Sequence, residues 1–353
     1  FGLVHEIRGL AHAGNPLRLS RFSDISTLLE KIRPQGAVLD PPEIAVFIPF
    51  LEMISDLSAQ LEERRDLPFL KELTAHLTGF PEILAVLTKS IDTEGNILDS
   101  ASPMLAELRR KVRRLETRIG KRLEEIMRDE RHSVFLQDTF ITERSGRWVI
   151  PVRMDSKGQV PGVVHDVSRS GETAFIEPLE IIHLSNELEN LIAEQKTEEI
   201  RILRTLCSMI RTVNDSLETQ YRIIVHLDLL NCIACFADEL KMHTPRICDP
   251  GFIGLEGARH PLLFLTLRRA GSGQEVVPLD VRLGGDTTVM VITGSNAGGK
   301  TIAIKTIGII VLMALSGMPI PAAPSSSIPL VDDLLIDIGD EQSIEDNLST
   351  FSA

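Results

Sequence analysis

The sequence predicts a multidomain chain: an all-α core, an antiparallel coiled-coil arm carrying a small β insert, and a partial P-loop α/β nucleotide domain toward the C-terminus. Three observations carry this. Apolar residues recur at spacings of three and four over two long stretches, about 103–137 and 179–213, as on one face of a helix. Between them the apolar period shortens to two, with Gly and Pro as punctuation. Finally, a β-branched run at 288–293 enters the Gly-rich turn GSNAGGKT, and a helix-forming run follows from Thr301 to about Leu315.

The elements follow in chain order. Residues 1–102 read as a helical core of short helices, interrupted at Pro16, Pro34, Pro41, Pro42, Pro68, Pro81 and Gly95. Residues 103–137 form the first arm helix, with Ser102 as cap and Pro103 in the first turn. Its apolar stripe is Leu105, Leu108, Val112, Leu115, Ile119, Leu123 and Ile126. Cations crowd its other faces: Arg109, Arg110, Lys111, Arg113, Arg114, Arg118, Lys121 and Arg122. A nucleic-acid surface and a solvated face balanced by Glu116, Glu124 and Glu125 both account for them. Residues 138–178 form the β insert, with Trp148, Ile150 and Val152 alternating. Residues 179–250 contain the returning arm helix, a break at Asn214, Asp215 and Ser216, and further core helices. About 35 residues per arm helix at 1.5 Å each gives an arm of roughly 50 Å. Residues 251–353 hold the nucleotide domain, truncated, with a second strand expected at 334–338 after a Pro-rich connector.

Composition bounds the function. With 353 residues the chain has room for two or three domains, and its 43% hydrophobic and 25% charged content is that of a folded protein in water. No run of about 18 uncharged apolar residues occurs and FGLVHEIRG is no signal peptide, so no membrane partner is expected and the cytoplasm is the expected compartment. The net charge of −13 means that nucleic-acid contact must come from local basic patches. Cys232 and Cys235 form a C-x-x-C that could join Cys207, Cys248 and His243 in a zinc site, but the helical run LDLLNCIACFADEL favours buried core thiols. The chain begins at Phe1 and stops at Ala353 after a polar stretch, as a piece of a longer protein would.

The loop carries the chemistry. Gly294, Gly299, Lys300 and Thr301 satisfy G-x-x-x-x-G-K-[ST], and with Ser295, Asn296, Ala297 and Gly298 they form the candidate nucleotide-binding segment. The glycines let successive N–H groups turn toward phosphate oxygens at the positive end of the following helix. Lys300 would reach the β and γ phosphates of ATP, and the Thr301 hydroxyl would ligate Mg²⁺. A turn that binds nothing is the bland alternative. In the β insert, Arg147, Arg153, Lys157 and Arg169 are candidate phosphate contacts, or else partners of Glu143, Asp155, Asp166 and Glu172.

GARHPLL at 257–263, VITGSNAGGKT and IGDEQSIEDNLSTF together closely resemble the MutS ATPases, in particular the type-two bacterial MutS paralogue. The stretches DSASPMLAELRRKVRRLE and RWVIPVRMDSKGQVPGVVHDVSRSGETAFIEP extend the likeness over nearly the whole chain. The resemblance implies that the helices are a core and lever, that the β insert is a clamp on nucleic-acid backbone, and that two ATPase domains meet as a homodimer. It implies that Ser349, in the Ser-Thr-Phe loop, acts in trans on the partner's γ-phosphate, and that Gln342 helps position Mg²⁺ or water. Branched or double-stranded DNA, suppression of recombination, and collided ribosomes with their rRNA are the targets it implies.

The likeness also has departures. The family's Walker B carboxylates follow the Ser-Thr-Phe loop, where this chain stops, and Asp337 mimics them only from a linking segment. The likeness therefore implies that this chain binds nucleotide yet turns it over very slowly, and that any endonuclease activity of the parent, carried by the family's C-terminal Smr domain, does not reside in these residues. Phe50-Leu51-Glu52 and Phe175-Ile176-Glu177 match the Phe-x-Glu of mismatch readers in letters only. The rivals are a long-armed structural ATPase of the SMC type, which opens its chain with the phosphate loop, and a nucleotide-binding fragment without turnover of its own.

Overall fold

The computed structural model describes residues 1–353 except 63, 65, 249–250, 272–274, 296–297 and 338–353. In chain order the helices are α1 (Gly2–His12), α2 (Ser26–Ile32), α3 (Pro41–Ala45), α4 (Phe47–Glu62), α5 (Pro68–Thr74), α6 (Pro81–Ser90), α7 (Pro103–Arg128) and α8 (Glu130–Ser133). Strands β1 (Thr142–Arg144), β2 (Arg147–Arg153), β3 (Gly162–Val167) and β4 (Thr173–Pro178) follow, then α9 (Ile182–Thr212) and α10 (Asn214–Glu239). The last part holds β5 (Arg246–Cys248), β6 (Phe252–Ala258), α11 (Pro261–Ala270), β7 (Leu279–Gly284), α12 (Lys300–Leu315) and β8 (Ser327–Pro329). The architecture is helix-rich with two small sheets, as expected of a multidomain chain. It resolves into two compact units, one of residues 1–19, 56–77 and 220–353, the other of residues 20–55 and 78–219.

The second unit holds the arm and its insert together with the short helices α2, α3 and α6. Ser102 caps α7, its hydroxyl accepting from Leu105 N at 2.9 Å, and Pro103 sits where no N–H is missed. The seven predicted stripe residues of α7 are all buried, from Leu105 to Ile126. The helix packs antiparallel to α9: its start meets Glu198 and Glu199, while Arg122 near its end meets Glu180 at 2.6 Å. The continuous first helix is shorter than expected. It ends at Arg128 because Asp129 leaves helical geometry and its carboxylate accepts from Arg131 N, starting α8, so its 26 residues span about 39 Å. The break after α9 comes at Val213, just before the expected Asn214.

The insert is a four-stranded sheet in the order β1-β2-β4-β3, every pairing antiparallel. Its inner residues Ile150, Val152, Ala174 and Ile176 share one apolar core with Ile119, Leu123 and Ile126 of α7 and Leu184 and Leu188 of α9. On β3 the register shifts between Val164 and Asp166, leaving His165 as an extra residue, and this bulge aims its ring at Glu177, Nε2 to Oε2 2.7 Å.

In the first unit, Glu6 of α1 is buried and its carboxylate accepts from Phe69 N and Leu70 N, at 3.0 and 2.7 Å, satisfying the open start of α5. Arg8 ties α1 to α10 through Asp238 at 2.7 Å and the Met242 carbonyl. The second sheet runs β5-β8-β6-β7, and only β5 and β8 are parallel. It packs with α12 around Leu255, Val281, Ile310, Val311, Ala314 and Ile328.

Two expected strands are not formed. Residues 288–293 and 334–337 are irregular, and Val289, Val291 and Leu335 are 74, 80 and 92% exposed. A strand needs a neighbour for its N–H and C=O groups, and among the described residues no strand pairs with either run. The parallel α/β sheet expected from these two strands is therefore absent among the described residues, and the sheet that is present is mixed. The cysteine expectation also fails in part: Cys207 is buried, but Cys232 and Cys235 are exposed on α10, because that helix buries Ile224, Leu227, Ala234 and Ala237 instead. Among the described residues no three His, Cys, Asp or Glu side chains could hold a metal ion. One segment, Pro41–Glu62, is long and apolar enough to cross a membrane, though 56% of its window is buried inside the protein, as in a core helix.

Candidate nucleotide and nucleic-acid sites

The phosphate loop is built by a left-handed residue at the start of a helix. Gly299 takes φ 80° and ψ 13° as the N-cap of α12, a geometry that a side chain with a Cβ resists by about 1–2 kcal/mol. No side chain caps α12, and its first turn has no acidic residue, so its leading N–H groups and partial positive charge face an anion unopposed. Gly298 N donates to Ser295 O at 3.0 Å, closing the turn, and a Cβ on Gly298 would come within 3.1 Å of that oxygen. Uncapped N–H groups at a helix start suit an anion such as a phosphate. Lys300 bends back over the loop, its Nζ donating to the carbonyls of Gly294 at 2.9 Å and Ser295 at 2.6 Å. Thr301 occupies the first turn, where its hydroxyl would serve Mg²⁺. Gly294, Ser295, Gly298, Gly299, Lys300 and Thr301 are thus brought together by the turn, while Asn296, Ala297, Gln342 and Ser349 lie outside the described residues.

The segment Gly257 to Leu263 is held beside this helix. Gly257 N donates to Asp280 at 2.7 Å and Arg259 N to the Pro321 carbonyl at 2.9 Å. His260 caps α11, its Nδ1 accepting from Leu263 N at 3.4 Å. Burial, with Lys305 of α12 nearby, lowers the imidazole pKa, which keeps the ring neutral and able to accept. An apolar cavity of about 620 Å³ runs between His260, Ile304, Ile307 and Leu312, with Leu334 to Asp337 on its far wall. Asp337 lies in an irregular segment, not on a Walker B strand.

In the β insert the four candidate cations separate. Arg147 is 18% exposed, bonded to Asn186 at 2.8 Å and paired with Glu189 at 2.8 Å and the buried Glu177 at 3.4 Å. This guanidinium is committed to joining β2 to α9, so it has little left for a phosphate. Arg153, Lys157 and Arg169 lie elsewhere. Arg153 pairs with Thr173, and Val167 with Ala174, so the end of β2, the β3–β4 turn and the residues after β2 gather at one end of the sheet. That end is opposite to the one where β4 runs into α9. Arg153 donates to Val134 O and lies 4.0 Å from Asp155, whereas Lys157 and Arg169 are exposed with no partner among the described residues.

On α7 the eight cations of the sequence divide by pairing. Arg109 meets Asp99 and Glu199, Lys111 meets Glu107, Arg113 meets Asp99, and Arg122 meets Glu125 and Glu180. Arg110, Arg114, Arg118 and Lys121 are exposed and form no salt bridge within 4.0 Å among the described residues, Arg110 acting on Glu107 only through its longer-range charge.

A Gly-rich turn delivered onto a helix N-terminus, with Gly-Lys-Thr at the junction, defines the phosphate-loop class of protein. Within it, the family model for MutS domain V matches residues 290–353. Relatives named Endonuclease MutS2 align along almost all of the chain. That of Caldicellulosiruptor saccharolyticus is 37% identical over 340 residues, 96% of this chain and 42% of the relative. That of Pelotomaculum thermopropionicum is 37% identical over 344 residues, again 96% and 42%, and that of Thermomicrobium roseum 38% over 347 residues, 94% and 42%. The chain belongs to the MutS family, as a paralogue of the MutS2 type. It spans about two fifths of the length of these relatives, 42% in each.

Proposed function

We propose that the chain is the core, arm and phosphate-loop part of an ATP-dependent, MutS-type homodimeric clamp that closes on double-stranded and branched DNA. The observation that carries this reading is Gly299 in left-handed geometry at an uncapped helix start, with Lys300 and Thr301 directly after it. The loop N–H groups bind and orient the β and γ phosphates. Lys300 exchanges its two carbonyl partners for phosphate oxygens, which gains strength because one partner is then charged. Thr301 would hold Mg²⁺, Gln342 would help position Mg²⁺ or water, and Ser349 of one subunit would act on the γ-phosphate held by the other. Bound MgATP would supply a γ-phosphoryl group for transfer to water, with ADP as the leaving group, and that transfer would reset the clamp. At the far end of the β insert, Arg153, Lys157 and Arg169 contact phosphates without reading sequence.

Titration of the chain with a fluorescent ATP analogue tests this. Lys300→Ala is expected to weaken binding by roughly 10- to 100-fold, the worth of a charge-assisted contact, with the helical content unchanged. Equal affinity in the variant and the parent would refute the nucleotide assignment. In a parallel DNA-binding titration, ribosomal RNA serves as the competitor that separates DNA from the ribosome as target.

A further inference from the structure

We infer that the arm itself carries a second DNA-binding surface, a phosphate track along α7 formed by Arg110, Arg114, Arg118 and Lys121. The inference rests on the nucleic-acid reading above and assigns a contact surface apart from the end of the β insert. The four cations are spaced i, i+4, i+8 and i+11, which places them within about 80° of the helix circumference on a face turned away from the buried stripe. They extend over about 16 Å, the rise of roughly five base pairs of duplex.

The pairing pattern selects these four. Every other cation between Arg109 and Arg122 is already held by a carboxylate, at distances of 2.6 to 3.4 Å. Beside the track lies a cleft of about 560 Å³ lined by Arg114, Arg118 and Lys121 on α7 and by His183 on α9. Its two carboxylates, Glu125 and Glu180, both hold Arg122, so the cleft keeps an excess of positive charge within a chain of net charge −13. Its lining contains a single apolar side chain, Leu184, which is buried in the arm core. A protein partner would want an apolar anchor at its centre, and none is presented. A regular row of anions is the matching ligand, and guanidinium forks suit phosphate oxygens.

The test is fluorescence anisotropy of the chain on a labelled duplex of roughly 30 base pairs, across a series of KCl concentrations. The triple variant R114A/R118A/K121A is expected to bind duplex DNA at least ten-fold more weakly at low salt. The log-log salt slope should fall by about 2 to 3, near 0.9 per phosphate contact. A control, K111A/R128A/R131A, removes the same charge from cations that already have carboxylate partners and should leave the slope within one contact of the parent. Unchanged affinity and slope in the first variant overturns the inference, and so does an equal loss in the control. Loss of duplex RNA binding with duplex DNA retained overturns the choice of ligand. The variant K157A/R169A separates the two readings: if it loses DNA and the arm variant does not, the clamp reading stands and the arm track falls.

Discussion

Ser102 is the residue on which the root of the arm turns, and Ser102→Ala tests that directly. Its hydroxyl accepts from Leu105 N at 2.9 Å and donates to Glu198 Oε1 at 2.6 Å, joining the start of α7 to α9. Loss of the cap costs about 1 kcal/mol. Loss of a buried hydrogen bond to a carboxylate adds about 1–2 kcal/mol, discounted because Arg201, which also binds Glu198, is 63% exposed. The expected sum is about 2–3 kcal/mol, or roughly 30- to 150-fold in the local opening equilibrium. Hydrogen exchange should show it as faster exchange at Leu105 and Ala106, with α12 unaffected, and urea unfolding followed by circular dichroism should show the same destabilisation. Ser102→Thr should recover most of it. A double cycle with Glu198→Gln should give a coupling of about 1 kcal/mol. A loss below about 0.5 kcal/mol, or strict additivity with Glu198→Gln, would refute the reasoning.

Other outcomes follow from the same geometry. The Glu198 carboxyl is held down to about 2 by the Arg201 guanidinium first and by Ser102 as well, so its stabilisation is complete above the usual 4.5 and disappears as pH falls toward 2. The stability gap between the parent and Glu198→Gln should accordingly narrow below pH 4.5 in acid titrations followed by circular dichroism. Arg147→Ala should destabilise the insert by about 2–4 kcal/mol in urea, by stranding part of the charge on buried Glu177, while changing the DNA salt slope by less than one contact. Ile119→Ala, at a fully buried arm position, should cost about 2–5 kcal/mol in the same assay. With a thiol reagent, Cys232 and Cys235 should react in the native protein, whereas Cys207, buried and with its thiol pKa pushed up by that burial, should react only on unfolding.

Periodicity made the arm and the insert legible. The seven apolar positions of α7, its Ser-Pro start and the alternation around Trp148 are local signals, and the structure forms the elements they indicate. Pairing across the fold is not local. Lys111 and Glu107 could be matched on one helix, but the partners of Arg109 include Glu199, ninety positions away, so the sequence could not say which of the eight cations remained free. For the same reason Arg147 looked like its three companions until the fold placed Glu177 and Glu189 against it. The run at 288–293 has every property of a strand except a neighbour, and strand formation depends on the neighbour. The Gly-rich turn onto α12 is legible because its glycines specify backbone angles, as at Gly299, which need nothing from the rest of the chain. The accessibility of Cys232 and Cys235 is not legible in the sequence because α10 is apolar on more than one side, so composition does not show which side faces inward.

The apolar core shared by the insert and the arm bears on mechanics. Since Ile150, Val152, Ala174 and Ile176 interlock with Ile119, Leu123 and Ile126, the sheet has no swivel at its base and cannot reorient without shearing a close-packed interior. A load applied at Lys157 or Arg169 is therefore not absorbed as local play. It is delivered as torque along about 39 Å of α7 to the junction of Ser102, Glu198 and Arg201, where a displacement of the head becomes a bending moment on three side chains.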